Sequence, residues 1–378
     1  MAVLNEEQNM LKDAAASWTQ GRAPVLALRD LRDSGSTLGY DPDLYAEMAE
    51  MGWTGIIIPE EYGGVDFGYR GLGVVLEELG KNLTASPLIS TTLTAACALI
   101  LGGSDLQKET WLPKISDGSL IATLAVDEGS RHAPLQTAMT AKATKNGWTL
   151  SGRKMPVPEG MGADLLIVPT RTSGQPGDQD GMTLFLVNAT AAGLSRTALH
   201  QIDSRYPAQF IFDQVSVEDN AVLGEVGKGA DLLDKILDRA RAGLAAEMLG
   251  TASQALDTTL EYLKIREQFG QIIGSFQALQ HRAVAMFGEI EMTRSAVEAA
   301  LDALDQNSAD IPQLVSLAKI MACETLKLVS NEMVQLHGGI GMTDEHDAGL
   351  YLKRARVVAA AYGNAAFHRE RYARIIGF

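Results

Sequence analysis

The strongest constraint on this chain is where its hydrophobic periodicity changes. Near the start, Leu44, Met48 and Met51 recur at offsets of three and four, the spacing of one buried helix face. The same spacing returns in Leu232, Leu233, Ile236 and Leu237 and runs on through Leu244, Met248 and Leu249. It appears again in Leu314, Leu317, Met321, Leu328, Met333 and Leu336. Between these stretches the texture shortens. Apolar runs at 165–168, 184–187 and 210–212 alternate with turn signals, and Asn146-Gly147 ahead of Trp148-Thr149-Leu150 is a hairpin cue. The Gly-, Pro- and Asp-rich piece at 173–181 reads as a surface loop between strands. Further helices are expected over 71–79 and 91–101, with Gly52 and Pro59 as punctuation before them. The chain therefore reads as mainly α with a central β domain. Its expected divisions are an N-terminal helical domain at 1–117, a middle β-barrel or sandwich domain at 118–225 and a C-terminal four-helix bundle at 226–378.

Composition removes several function classes. At 378 residues, 46% hydrophobic and 21% charged, the chain has the make-up of a globular protein with a large core. A net charge of −15 argues against nucleic acid as a partner, although an anionic ligand needs only a local basic patch. The apolar run at 95–101 is too short to span a bilayer, and MAVLNEEQ lacks the basic-then-apolar form of a signal peptide. Cys97 and Cys323 are isolated in apolar, helix-like stretches, as reduced core cysteines are. No membrane partner and a cytoplasmic location are expected.

Two glycine-bearing segments stand out. In YLKIREQFGQIIGSFQALQ, residues 262–280, a helical pattern stops at Gln268-Phe269-Gly270 and restarts at Ser275, a candidate N-cap. Gly270 and Gly274 bracket a turn, which puts Arg266 at a helix end where a guanidinium can grip a phosphate. A single Arg in such a place is more often an ordinary surface contact. The second segment, Gln335-Leu336-His337-Gly338-Gly339-Ile340-Gly341, can present successive backbone N–H groups to an anion. Taken alone it reads as a helix C-cap.

Together the two segments, R-x-Q-F-G followed by G-x-F-Q and then Q-x-x-G-G-x-G, resemble the flavin-binding segments of the acyl-CoA dehydrogenase family. The phrase Ile58-Pro59-Glu60-Glu61-Tyr62-Gly63-Gly64, with Glu77-Glu78-Leu79-Gly80 after it, is also typical of that family's N-terminal domain. The resemblance covers essentially the whole chain. It implies FAD held by Arg266, Gln268 and Phe269 on one side, and by Gln335, Gly338 and Gly339 across a subunit interface. It therefore also implies a dimer or tetramer. The implied reaction is α,β-desaturation of an acyl-CoA, in which a carboxylate takes the α proton and a hydride goes to the flavin. Electrons would pass to an electron-transfer flavoprotein.

The sequence departs from the family where the base should be. The usual position falls on Tyr362, whose ordinary pKa of about 10 makes it a poor base at neutral pH. The alternative position falls on Ala240, beside Arg241, which corresponds to the substrate-side Arg that opens the bundle's first long helix. Glu247 is a substitute candidate, because desolvation in an apolar helix raises a carboxyl pKa. The family's two flavin-ring phrases fall on Asp127-Glu128-Gly129-Ser130 and on Pro156-Val157-Pro158, where prolines offer no N–H. Asn364 stands where the family has Thr. Three readings follow: a flavoprotein dehydrogenase with an unfamiliar base; a non-catalytic subunit that completes the FAD site of a catalytic paralogue; or a base-independent acyl-CoA lyase or desulfinase. Glu345-His346-Asp347 lacks the partner ligands of a metal site, and His281, His337 and His368 are single. The basic run Lys353, Arg354, Arg356, His368, Arg369, Arg371 and Arg374 reads as a solvated helix face rather than a surface for CoA phosphates or a partner subunit. Ala359-Ala360-Ala361 leaves room for a bulky acyl chain.

Overall fold

The computed structural model describes residues 4–378, and the chain divides into two compact units. In chain order the helices are α1 (Glu6–Arg22), α2 (Val25–Asp33), α3 (Pro42–Glu50), α4 (Tyr69–Lys81), α5 (Cys97–Gly102) and α6 (Asp105–Ser116). They continue as α7 (Gly229–Ile265), α8 (Gln277–Asp305), α9 (Ile311–His337), α10 (Ala348–Ala360) and α11 (Ala365–Ile375). The strands are β1 (Ala122–Leu124), β2 (Thr140–Thr144), β3 (Gly147–Val157), β4 (Leu165–Arg171), β5 (Met182–Asn188), β6 (Leu194–Ala198), β7 (Ala208–Val217) and β8 (Val222–Leu223), with β9 (Glu267–Gln268) and β10 (Gln271–Ile272) further on. This is the mainly α fold with a central β domain that the change in periodicity predicts. Among the described residues no helix is long and apolar enough to cross a membrane.

One unit is helical. It gathers the described residues up to Asp30, residues 69–84 and everything from Arg241 on. Here α9 is the central rod, packed against α8, α10 and α11, while α4 packs on α1 and α8. The start of α4 is capped by another helix: the Asp305 carboxylate, at the end of α8, accepts the N–H groups of Tyr69 (2.6 Å) and Arg70 (2.9 Å). The α4–α7 crossing is close enough to need glycine on both sides. A Cβ at Gly80 would lie 2.2 Å from the Glu247 carbonyl oxygen, and one at Gly250 would lie 1.8 Å from that of Glu77. Thr251 Oγ1 stitches the crossing by donating to the carbonyls of Gly80 (3.1 Å) and Glu247 (2.9 Å).

The other unit carries the sheet, with strand order β6-β7-β3-β2-β4-β5-β8 and β1 beside β4. The Asn146-Gly147 cue marks a real hairpin, in which β2 and β3 pair antiparallel with Thr144 opposite Gly147. Every residue of β4 is buried, which explains why 165–168 reads as a continuous apolar run rather than an alternation. Leu150, Val157, Leu166, Phe185, Phe210 and Phe212 belong to the core it shares.

One helix departs from expectation. The segment expected as a regular helix over 91–101 opens as a wide π-helix, Leu88–Ala96, before tightening into α5. Its buried hydroxyls must find acceptors, and they take backbone carbonyls: Thr91 that of Ala122 (2.9 Å), Thr92 that of Thr54 (3.0 Å), Ser90 that of Pro87 (3.0 Å). Two of these acceptors lie outside the segment, and the Ser90 bond alone is local.

The glycine crossing generates a contrast. Gly250→Ala is expected to cost about 1–3 kcal/mol by overpacking. Gly288→Ala, where a Cβ meets nothing within 4 Å, is expected to stabilise α8 by about 0.5–1 kcal/mol. Denaturant midpoints of the two variants should move in opposite directions.

Candidate functional site

In the helical unit the Arg266 segment is more ordered than its sequence suggests. The α7 helix ends at Ile265, and a miniature hairpin follows, with Gln268 opposite Gln271 and Glu267 opposite Ile272. Its tip, Phe269-Gly270, has φ of 56° and 79°, the two left-handed residues of a type I′ turn. Phenylalanine is a costly choice at the first of these, and its ring is 92% exposed. Arg266 and Gln268 are exposed beside it. Ser275 does not cap the next helix. Its Oγ donates to the Ile272 carbonyl (2.6 Å), and α8 begins after Phe276 with no side-chain cap.

The structure brings this hairpin and the glycine segment together. The Tyr262 carbonyl accepts the Arg266 N–H (2.9 Å), and the Tyr262 hydroxyl donates to the His337 carbonyl (3.4 Å). The rings of Tyr262 and His337 lie 4.4 Å apart. After His337, Gly338 takes φ 64°, ψ −135°, a conformation effectively reserved for glycine. Gln335, Gly338 and Gly339 are exposed, and a Cβ on either glycine would meet nothing within 4 Å. An exposed Arg, an exposed aromatic ring and an open glycine backbone form a donor set that fits an anionic dinucleotide such as FAD.

The two expected base positions are both buried. Ala240 and Arg241 are fully buried in α7. Tyr362, at φ 54°, opens the turn between α10 and α11 and is 9% exposed. Three basic side chains converge on this turn. Arg241 Nε donates to the Tyr362 carbonyl (3.2 Å), His368 Nε2 meets the same oxygen (3.2 Å), and Lys319 Nζ donates to the carbonyls of Val358 (3.0 Å) and Gly363 (3.2 Å). Burial, then the nearby Arg241 and Lys319, push His368 down to about 2, so it stays neutral. Burial also lowers Lys319. Glu247 is buried and tied: Arg354 Nε (2.8 Å) and Nη2 (2.6 Å) both donate to its Oε1.

The basic run is engaged rather than gathered into a patch. Besides Arg354, Arg356 reaches Asn331 (2.8 Å), Arg369 pairs with Glu324 (2.9 Å), Arg371 bonds the Pro312 carbonyl (3.0 Å) and Arg374 pairs with Glu370. His281 is exposed. Cys97 and Cys323 are free and buried, as their isolation predicts.

In the sheet unit the structure joins the two segments that the resemblance matches to the family's flavin-ring phrases. The Met155 N–H donates to the Asp127 carbonyl (2.7 Å), so residues 127–130 lie against the strand leading into Pro156-Val157-Pro158. A pair the sequence reading passed over holds them. Lys154 is fully buried and donates to Glu128 Oε1 (2.8 Å) and the Val126 carbonyl (3.0 Å). Glu128 also accepts the N–H groups of Ala138 (2.9 Å) and Met139 (3.1 Å). Asp127 holds His132 Nδ1 at 3.0 Å. The available signal was the company Lys154 keeps: Leu150, Lys154 and Val157 are buried positions of β3, and a lysine among them demands a carboxylate.

The fold and these segments define a flavoprotein dehydrogenase class, and the comparisons agree. Family models described as "Acyl-CoA dehydrogenase, N-terminal domain" and "Acyl-CoA dehydrogenase, C-terminal domain" match residues 5–119 and 227–377. The acyl-CoA dehydrogenase IpdE2 of Mycolicibacterium smegmatis is 30% identical over 95% of this chain and 96% of its own length. A solved variant of the Tcur3481-Tcur3483 steroid ACAD is 33% identical, with TM-score 0.88 over 98% of both chains. A chain of the ChsE4-ChsE5 complex from Mycobacterium tuberculosis is 25% identical, with TM-score 0.90 over 99% of this chain and 98% of that one. This chain belongs to the acyl-CoA dehydrogenase family.

The pairing of buried Lys154 with half-buried Glu128 yields a signed pH effect. Glu128→Gln leaves an ammonium buried without its partner and is expected to cost about 3–5 kcal/mol near neutral pH. Burial already lowers the Lys154 pKa, so the orphaned amine loses its proton readily as pH rises. The deficit relative to wild type should therefore shrink between about pH 7 and pH 10, read from denaturant unfolding at each pH.

Proposed function

We propose that this chain is a subunit of an FAD-dependent acyl-CoA dehydrogenase that desaturates an acyl-CoA thioester, and that the proton-abstracting carboxylate comes from an unlike chain of the same fold. The observation that carries this reading is the state of the base positions. Tyr362 and Ala240 occupy them, and Glu247, the substitute, is engaged by Arg354. A carboxylate bound in this way to a buried guanidinium is a scaffold element, since withdrawing it would strand the cation.

FAD, when bound, supplies the hydride acceptor. Arg266 would grip its phosphates, Phe269 would offer a ring face, and Gln268 and Gln335 would add polar contacts. The backbone N–H groups of Gly338 and Gly339 would face the adenine half of a cofactor held mainly by a neighbouring subunit. Arg241 acts through the turn it holds rather than by direct contact with substrate. Pro156 and Pro158 withhold N–H donors from the flavin ring, consistent with a chain that completes a cofactor site instead of running the chemistry. That two of the similar structures pair unlike chains, ChsE4 with ChsE5 and Tcur3481 with Tcur3483, supports the heteromeric reading. The second of these is a steroid ACAD, and the short side chains of Ala359, Ala360 and Ala361 suit an equally bulky acyl group. An electron-transfer flavoprotein is the proposed acceptor, and the cytoplasm the proposed location.

The test is visible absorbance and native mass, first for the chain alone and then co-expressed with a paralogue that carries the Glu. Alone, the chain should show no flavin bleaching by acyl-CoA; the co-expressed assembly should bleach. Bleaching by the lone chain would instead make it a self-sufficient dehydrogenase with an unfamiliar base. Arg266→Ala should weaken FAD retention by the assembly about ten- to a hundredfold, the loss of a charge-assisted contact. Unchanged occupancy would remove Arg266 from the site.

A further inference from the structure

His337, the last residue of α9, is 3% exposed. Its Nδ1 lies 2.7 Å from the Met333 carbonyl, and a carbonyl only accepts, so Nδ1 carries the proton. The neutral ring is left with a bare lone pair at Nε2, and that atom is buried with no hydrogen-bond partner. Two other rings hold it: Tyr262 from α7 at 4.4 Å and His346, beyond the glycine segment, at 4.2 Å. His346 Nδ1 accepts the Ala348 N–H (3.0 Å), so its neutral form carries the proton on Nε2. The charged groups acting on the pair are Asp347 and Arg29 of α2, which bond each other (2.7 Å), and Arg29 also reaches Asp344 (3.3 Å). From α7 the titratable group facing His337 is Tyr262. Among the described residues no carboxylate oxygen bonds either nitrogen of His337.

We infer that His337 and His346 form a proton-sensitive latch, which holds the glycine segment Gly338–Met342 closed only while both rings are neutral. A proton arriving at His337 Nε2 finds no acceptor and creates a buried, unpaired cation stacked on a second imidazole. The structure can relieve this by swinging the segment outward about Gly338, whose left-handed backbone and open surroundings suit a hinge. Burial holds both rings below the usual histidine range; the Met333 carbonyl at His337 and the Asp347 carboxylate at His346 pull the other way, and His346 and Arg29 respectively add smaller downward pushes. The sign follows. A group that is neutral when folded and protonates more readily when released contributes its stability above the ordinary histidine pKa, and that stability is lost as pH falls below it. This coupling lies beyond the dehydrogenase reading and holds whichever ligand the segment meets.

The experiment is amide hydrogen exchange of the peptide spanning 335–347 in the full chain, at steps from about pH 7.5 to pH 5.5 and normalised to intrinsic rates, in wild type and His337→Asn. Asparagine keeps a donor for the Met333 carbonyl and cannot titrate. Wild-type protection should fall by about tenfold per pH unit below its midpoint, the slope of one linked proton, while the variant stays flat. Constant protection in the wild type, or an equal fall in the variant, would overturn the latch. Should the variant not fold, ring titration of the unmodified chain by NMR decides. A His337 ring that titrates below the usual histidine range, with the 338–342 amides moving in step, supports the latch. An ordinary titration with those amides still refutes it.

Discussion

Much of the helical architecture depends on how charge is buried along α7. Asp238, Arg239, Arg241 and Glu247 all lie within that helix and almost wholly out of water. An ion taken into such surroundings costs several kcal/mol unless well-aimed partners receive it. Arg239 finds the carbonyl of Lys235 within its own helix, at 2.8 Å. Arg241 and Glu247 look outward, to the Tyr362 carbonyl and to Arg354, and so dictate where the turn between α10 and α11, and α10 itself, must lie. The glycines at positions 80 and 250 then become obligatory, because α4 has to cross this helix with its carbonyls almost touching the partner backbone.

The turn at Tyr362, where the proposed reading sets an absent base, is held through its backbone. Arg241, Lys319 and His368 clasp the carbonyls of Val358, Tyr362 and Gly363, and none of these contacts depends on the side chain at 362. A turn held through its backbone keeps its geometry whichever residue it displays. Glu247 shows the converse. Its Oε1 is committed to Arg354, so the carboxylate ties α7 to α10 through its side chain.

Repeating signals were legible in the sequence, and singular ones were not. Helical stripes such as Leu232 to Leu249 and the Asn146-Gly147 hairpin are periodic or locally encoded, and the structure contains them where the letters place them. The β9–β10 hairpin is invisible to periodicity because two-residue strands have no period, and Ser275 misleads because its hydroxyl has a nearer carbonyl to bond. Long-range pairs lie furthest from view. Lys154 meets Glu128 across 26 residues and Glu247 meets Arg354 across 107, so only the folded strand register and helix packing reveal them. That distance is why Glu247 reads as a desolvated carboxylate and a candidate base until its partner is seen.

Phe269 carries a last consequence, for handling the chain as a material. A ring 92% exposed at the tip of a hairpin, with Ile265 (75%) at its base, is a sticky point on an otherwise strongly anionic particle. In dilute buffer the charge of −15 keeps such particles apart by mutual repulsion, but that repulsion reaches only about 10 Å at 0.1 M salt and less above it. Colloidal behaviour of the isolated chain is therefore set by ionic strength, with self-association rising as salt is added, the opposite of what screening does to a salt-bridged assembly.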